Sequence, residues 1–357
     1  MSDYNNTFSV DRLYNTFRRF SDLYTLKSGT GRIVITKRGA RIIGVFPEKD
    51  SCNALWIYPG VKKSLENGHW MVGGERLWVA PEKDYFYKFP ENFDGFFVSG
   101  DIDPGNYRHK GGLEFENRLL IENNSAGERF SNTQLKRSFN TIKDPFDTGM
   151  GFTGIRITDS ARTLNPNLDL CCWSVTQLIP GKPEHPATVL FPCKESASFI
   201  PYFSEIPEDY CDVNGRYARF KIDSSRILKT ALAPEDIRDD IKCKILYILP
   251  FHKESYFCIM KRTYDTPKRQ CECLDIPKNT QTKSRGAVQA YNCGPGFSEE
   301  DDFLFGEIEI QSRGLFRNGR FSSTSMTHEL LCYSGKEDDI LELAAEALDL
   351  PAKPVRF

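Results

Sequence analysis

A long succession of short, β-rich runs with no long helical pattern between them constrains this chain more than any other feature. The runs FFVSGDI, GLEFENRLLIEN, RSFNTI, FTGIRITDS, DLCCWSVTQLI, ATVLFPC, YARFKID, CKILYILPF, YFCIMKRTY, GAVQAYN, FGEIEIQS and SSTSMTHELLCYS follow one another, most of them separated by Gly, Pro, Asn or Asp. Upstream, RIVITKRGARIIGVFP and NALWIYP add two or three more strands with tight connections. Such text specifies an all-β sandwich or barrel, because strands without crossover helices pair antiparallel with their neighbours. Helical spacing occurs at the two ends. Over residues 8–24, Leu13, Phe17, Phe20 and Tyr24 recur at intervals of three and four, and near the C-terminus Ile340, Leu343, Ala344, Ala347 and Leu348 form one apolar face over about 337–349. There is no fixed-period repeat, low-complexity tract or linker. The organisation expected is a helical segment over 1–30 and one β domain over 31–357 that ends in the C-terminal helix.

Composition narrows the function classes. Hydrophobic residues make up 39% of the chain and aromatics 13%, enough for a substantial core. The 47 basic and 49 acidic residues nearly cancel, so the basic footprint of a nucleic-acid binder is missing. No apolar run is long enough to span a bilayer and the first twenty residues lack an apolar stretch, so no membrane partner and a cytoplasmic address are expected. The eleven cysteines, an odd number scattered from Cys52 to Cys332, read as reduced thiols. Cys271 and Cys273 form a C-x-C without a second pair at zinc-site spacing, so no metal is assigned. Gly149, Gly151 and Gly154 match G-x-G-x-x-G, but the alternating IRITDS that follows reads as a strand and not as the helix a dinucleotide site needs. P-loop, G-x-S-x-G and H-E-x-x-H motifs are absent, and no cofactor is expected.

The most individual text is GHWMVGGERLWVAPE, residues 68–82. Adjacent glycines let a backbone turn or approach a ligand closely, Arg76 offers a rigid fork of donors, and Trp70 and Trp78 offer flat faces suited to the C–H surface of a sugar. This segment, with its G-G-x-R-L-W-x-A-P-E motif from Gly73 to Glu82, resembles a branch of the galactose-mutarotase-like superfamily. The hairpin text RGARIIGVFP and NALWIYP, the consecutive runs LEFENRLLIEN and DLCCWSVTQLIPG, and the late FGEIEIQSRG resemble the same superfamily in order. The resemblance implies a supersandwich of two large packed antiparallel sheets with short terminal helices, and a cleft for a small-molecule carbohydrate.

It also implies site residues. Ile308, Glu309, Ile310 and Gln311 stand where mutarotases carry a catalytic glutamate in an L-E-T-Q context, so Glu309 is the candidate base. His69, Arg76, Trp78, Glu82, Gln177 and Glu307 are the candidate substrate contacts. Mutarotation needs a base at the anomeric hydroxyl and an acid at the ring oxygen. The family's acid histidine has no counterpart in WSVTQLIPG, where Thr176 and Gln177 stand, and an amide cannot deliver a proton. An acid would have to come from another strand, from His69, His252 or His328, and His252 is assigned that role. Carbohydrate binding is the leading expectation, with an aldose 1-epimerase-like isomerase and a non-catalytic interaction domain as alternatives.

Overall fold

The computed structural model describes residues 7–252, 254–279, 281–297 and 303–357, without the side chain of His252. The first helix is Val10–Phe17, where the Ser9 hydroxyl accepts the Arg12 N–H as an N-cap and Leu13 and Phe17 are buried. It is shorter than the spacing over 8–24 predicts. Leu23–Ser28 instead forms a strand that pairs antiparallel with Gly31–Thr36 across a turn in which Gly29 has φ +57°, so the sheet begins ahead of residue 31. The text LYTLKSGTGRIVIT carries this hairpin: two alternating runs around a glycine-bearing turn.

Two large sheets follow, and all strand pairs described are antiparallel. The nine-stranded sheet runs in the order Leu23–Ser28, Gly31–Thr36, Arg41–Phe46, Glu75–Ala80, Cys171–Leu178, Phe305–Gln311, Val288–Cys293, Leu228–Leu232 and Phe199–Pro201. The eleven-stranded sheet is built around its longest members, Gly151–Thr163, Phe321–Gly335 and Glu128–Thr141. The all-β expectation therefore holds, with one exception in detail: FFVSGDI contributes only the end of the short strand Asp94–Phe96. Gly151 opens a thirteen-residue strand, as the alternation of IRITDS predicts, so the glycine fingerprint serves no helix.

Alternation along the strands places the core. Ile33, Ile35, Ile308 and Ile310 from the first sheet meet Phe115, Phe139, Ile155 and Ile157 from the second in one buried cluster. The helix Glu337–Leu348 packs Ile340, Leu343, Ala344 and Leu348 against Leu246, Ile248, Met260 and Leu331 of the second sheet. Eight cysteines are buried as free thiols in this framework, while Cys271 is exposed.

The layer between the sheets also holds charge. Arg137, fully buried, donates to Glu75 at 2.8 Å and to Asp159 at 2.7 Å, while the Ser174 hydroxyl donates to Glu75 at 2.8 Å. Lys261 donates to the Ser174 carbonyl at 2.8 Å, and His328 Nε2 lies 3.1 Å from Asp159. Glu75, Asp159 and His328 are close enough to one another to share an ion, but the Arg137 guanidinium already bridges the two carboxylates. The Arg137, Glu75 and Asp159 charges thus compensate one another within the layer, while burial lowers the Lys261 ammonium to about 8.

Candidate functional site

The outer face of the nine-stranded sheet carries the candidate site, and strand parity decides which residues reach it. Along Glu75–Ala80, Glu75 points into the intersheet layer, so Arg76 and Trp78 point the other way. The neighbouring strand Cys171–Leu178 pairs Trp173 with Trp78 and Val175 with Arg76, which puts Trp173, Val175 and Gln177 on the same outer face. On Phe305–Gln311, Ile308 and Ile310 belong to the core and Glu307 and Glu309 to the outer face; Glu307 pairs with Gln177 and Glu309 with Val175. Val288–Cys293 adds Gln289 beside Glu309 and Tyr291 beside Glu307, and Leu228–Leu232 adds Lys229 beside Tyr291.

The glycine pair ahead of Arg76 has a definite task. Gly73 and Gly74 have φ of +91° and +83°, and a Cβ on either would fall 2.3 Å from the Trp56 carbonyl oxygen or 2.2 Å from that of Ile42. These glycines make close approach to neighbouring backbone and not to a ligand. They let the Gly74 N–H reach the Trp56 carbonyl at 2.9 Å and the Gln177 N–H reach the Gly74 carbonyl at 3.0 Å, which sets the register that pairs Arg76 with Val175.

Above this floor lies a cleft of about 980 Å³, a volume suited to a small organic ligand. Its walls are largely aromatic, including Tyr58, Trp70, Phe96, Phe203, Phe297 and Phe303. Trp78 is fixed by an indole N–H donated to Asp103 at 2.8 Å and stacks on Phe86 with ring centroids 4.7 Å apart. The Arg76 guanidinium lies over Trp78 at 4.1 Å and gives one N–H to Glu307 at 3.1 Å; its Nε and Nη1 are buried without a partner. The Gln177 side-chain oxygen is likewise buried and unpartnered.

Four carboxyls and two cations share the floor. Lys229, 3% exposed, lies 3.2 Å from Glu82 and 3.3 Å from Glu309 and stands over the Trp173 ring at 4.6 Å. Trp173 donates its indole N–H to the same Glu309 oxygen at 2.9 Å, and the other Glu309 oxygen has no partner. Tyr87 donates to Glu82 at 3.1 Å, and Asp275 accepts the Glu82 N–H and a Gln289 amide N–H, both at 2.9 Å. Burial pushes Glu309 up to about 7 against the pull of Lys229, with Glu307 and Asp275 adding to the rise. Glu82 and Glu307 are raised for the same leading reason. Burial alone would lower the Lys229 pKa, but Glu309 and Glu82 outweigh it and hold the ammonium charged.

Of the residues expected from sequence, His69, Arg76, Trp78, Glu82, Gln177 and Glu307 line the cleft. Glu309 lies on the same face beneath Lys229 and Trp173 with no exposed surface, so Glu307 is the carboxyl of that strand that meets the cleft. His69 is exposed at the rim, where its Nδ1 accepts the Met71 N–H at 3.2 Å and its Nε2 therefore carries the proton in the neutral ring. His252 closes the strand Cys243–His252, and its side chain lies outside the described residues. His328 belongs to the intersheet layer and not to the cleft. Lys229, Trp173 and Asp275 are the members that sequence reading missed. A lysine inside the apolar run ILKTALA was the available signal, since a lone cation in such a run must find a buried partner.

The chain is similar to galactose mutarotase-like proteins of known structure. One from Lactobacillus casei matches at 8% identity and a TM-score of 0.48, covering 87% of this chain and 100% of that one. A candidate aldose 1-epimerase from Escherichia coli K12 matches at 12% identity and a TM-score of 0.48 over 88% and 99% of the two chains. A galactose mutarotase-like protein from Clostridium acetobutylicum matches at 12% identity and 0.43 over 88% and 96%. No protein-family model and no curated protein sequence matches the chain.

Proposed function

We propose that the cleft over the nine-stranded sheet binds a carbohydrate, a monosaccharide or a sugar derivative. The observation that carries this reading is the polar floor left incomplete beneath aromatic walls: Arg76 Nε and Nη1 and the Gln177 side-chain oxygen are buried without partners on adjacent strands. Buried donors and acceptors left unmatched cost free energy, and a ligand with several hydroxyls would satisfy both kinds at once. The half-buried Trp70 in the cleft wall offers a flat face that suits the C–H surface of the same ligand.

Titration calorimetry against a panel of aldoses tests the reading. Binding to the wild-type protein should weaken in Arg76→Ala by roughly ten- to a hundredfold, the scale of a lost hydrogen bond to a charged group. Equal affinities in the two proteins would remove Arg76 from the site. A second reading, isomerisation at the anomeric carbon, is favoured by one observation: Glu309 is held near neutrality with one oxygen unpartnered, two residues from Glu307 on the same face. Anomer exchange of a bound sugar measured by NMR, in wild type and in Glu307→Gln and Glu309→Gln, separates catalysis from binding. Exchange no faster with protein than without it would leave binding alone.

A further inference from the structure

The cleft has a polar floor and an aromatic wall, and the floor alone is the size of a sugar. Among the described residues, the buried polar atoms without a hydrogen-bond partner that line the cleft belong to Arg76, Gln177 and Tyr291. Gln177 pairs with Glu307 and Glu307 with Tyr291, so Tyr291 stands two strands from Gln177 in one cross-strand row, roughly 10 Å away. Val175, the partner of Arg76, is two residues from Gln177, about 7 Å along the strand. That patch matches one pyranose with its hydroxyls. The whole cleft, at about 980 Å³, stands at the upper end of the roughly 300–1,000 Å³ range that holds drug-sized molecules, so a single hexose leaves much of it unfilled.

The remaining space is walled by rings in continuous contact. Trp70 meets Phe96 with centroids 6.2 Å apart, Phe96 meets Phe297 at 6.3 Å, Phe297 meets Phe303 at 5.6 Å and Phe303 meets Tyr58 at 5.2 Å, each pair edge to face. Rings that served packing alone would be buried, whereas Phe96 is 38% exposed and Tyr58, Trp70 and Phe297 are half-buried, all of them lining the cleft. Apolar surface kept open in this way marks a place that a ligand covers. A second sugar would bring hydroxyls that need partners, and phenylalanine rings have none to give. An apolar group gains free energy there simply by leaving water.

Building on the carbohydrate reading above, we infer that the ligand is a glycoside with an apolar aglycone: the sugar pairs with Arg76 and Gln177 on the floor, and the aglycone lies among Phe96, Phe297 and Phe303. A glycosidic link places the apolar group at one end of the ring and leaves the other hydroxyls for the floor. Such a ligand has no free anomeric hydroxyl, so it is bound and not isomerised. Calorimetry with the methyl and phenyl glycosides of glucose, galactose and mannose, in both anomers, tests this, with phenol as the control for the apolar group alone. For the sugar that binds, the phenyl glycoside should bind at least about tenfold more tightly than the methyl glycoside. That ratio should fall severalfold in Phe96→Ala and, measured separately, in Phe297→Ala. A phenyl glycoside no tighter than its methyl counterpart, or a ratio unmoved by both substitutions, would overturn the inference while leaving the carbohydrate reading intact. Phenol bound as tightly as the phenyl glycoside, or no sugar bound in any form, would overturn both.

Discussion

Replacing Lys229 by methionine probes the electrostatic design of the floor. Lys229 is 3% exposed and stands between Glu82 at 3.2 Å and Glu309 at 3.3 Å, so the substitution keeps most of the stem's packing and removes the charge that both carboxyls share. Removing one partner of a buried ion pair typically costs about 3–5 kcal/mol, because the charge left behind is uncompensated. Here two carboxyls are left, and proton uptake limits the penalty. Without Lys229 their folded-state pKa values stand still further above the ordinary carboxylate range. A group raised in this way stabilises the fold below its unfolded pKa and loses that contribution as pH rises through its folded pKa. The deficit of Lys229→Met relative to wild type should therefore be small at pH 5 and reach about 3–5 kcal/mol at pH 8. Urea unfolding followed by tryptophan fluorescence at the two pH values measures it, with Trp173 beside the mutated position as a local reporter. A loss that is the same at both pH values, or below about 1 kcal/mol at pH 8, would show that Lys229 does not compensate the carboxyls.

Three further substitutions test the geometry. Glu309, raised from 4.5 to about 7, contributes stability that is present below pH 4.5 and is lost as pH climbs through about 7, on the order of 3 kcal/mol over that interval. Glu309→Gln should flatten the wild-type decline in unfolding free energy between pH 5 and 8, and an unchanged decline would place the titration elsewhere. Gly73→Ala should destabilise by about 2–4 kcal/mol, since its φ is +91° and the new methyl would fall 2.3 Å from a backbone oxygen. Gly68→Ala, at φ +70° in open space, should cost only about 1–2 kcal/mol in the same denaturation assay, and equal losses at the two glycines would refute the close-approach argument.

The parts of the fold legible in the sequence are those in which period-2 alternation carries the burial. FTGIRITDS lies within the thirteen-residue strand Gly151–Thr163, and FGEIEIQ forms a strand that divides its isoleucines to the core and its glutamates to the outer face. The terminal helices separate two cases. Over Glu337–Leu348 a 3.6-residue period coincides with a real apolar face, whereas after Phe17 the same spacing of aromatics continues into a turn and an edge strand. Local periodicity cannot see that Leu23–Ser28 has Gly31–Thr36 as a pairing partner until the glycine turn between them is weighed.

At the site, GHWMVGGERLWVAPE stood out because few folds need two tryptophans, an arginine and adjacent glycines so close together, and its Arg76, Trp78 and Glu82 do line the cleft. The lysine in ILKTALA signals a buried partner, but nothing near it in sequence hints that Glu82 and Glu309 are the partners; only the fold brings them together. Glu309 itself could be picked out, but its depth could not, since alternation gives the face and not what covers it.

The claim on which the account turns is that a sugar occupies the cleft over Arg76 and Gln177. A crystal structure of the protein at saturating concentration of the tightest-binding sugar from the calorimetry tests it most directly. The expected result is a pyranose against the face of Trp70, within hydrogen-bond distance of Arg76 Nε or Nη1 and of the Gln177 side-chain oxygen. A sugar seated elsewhere, for example in the groove lined by Glu48, Met150 and Glu346, with the Arg76 and Gln177 atoms still unpartnered, would contradict it.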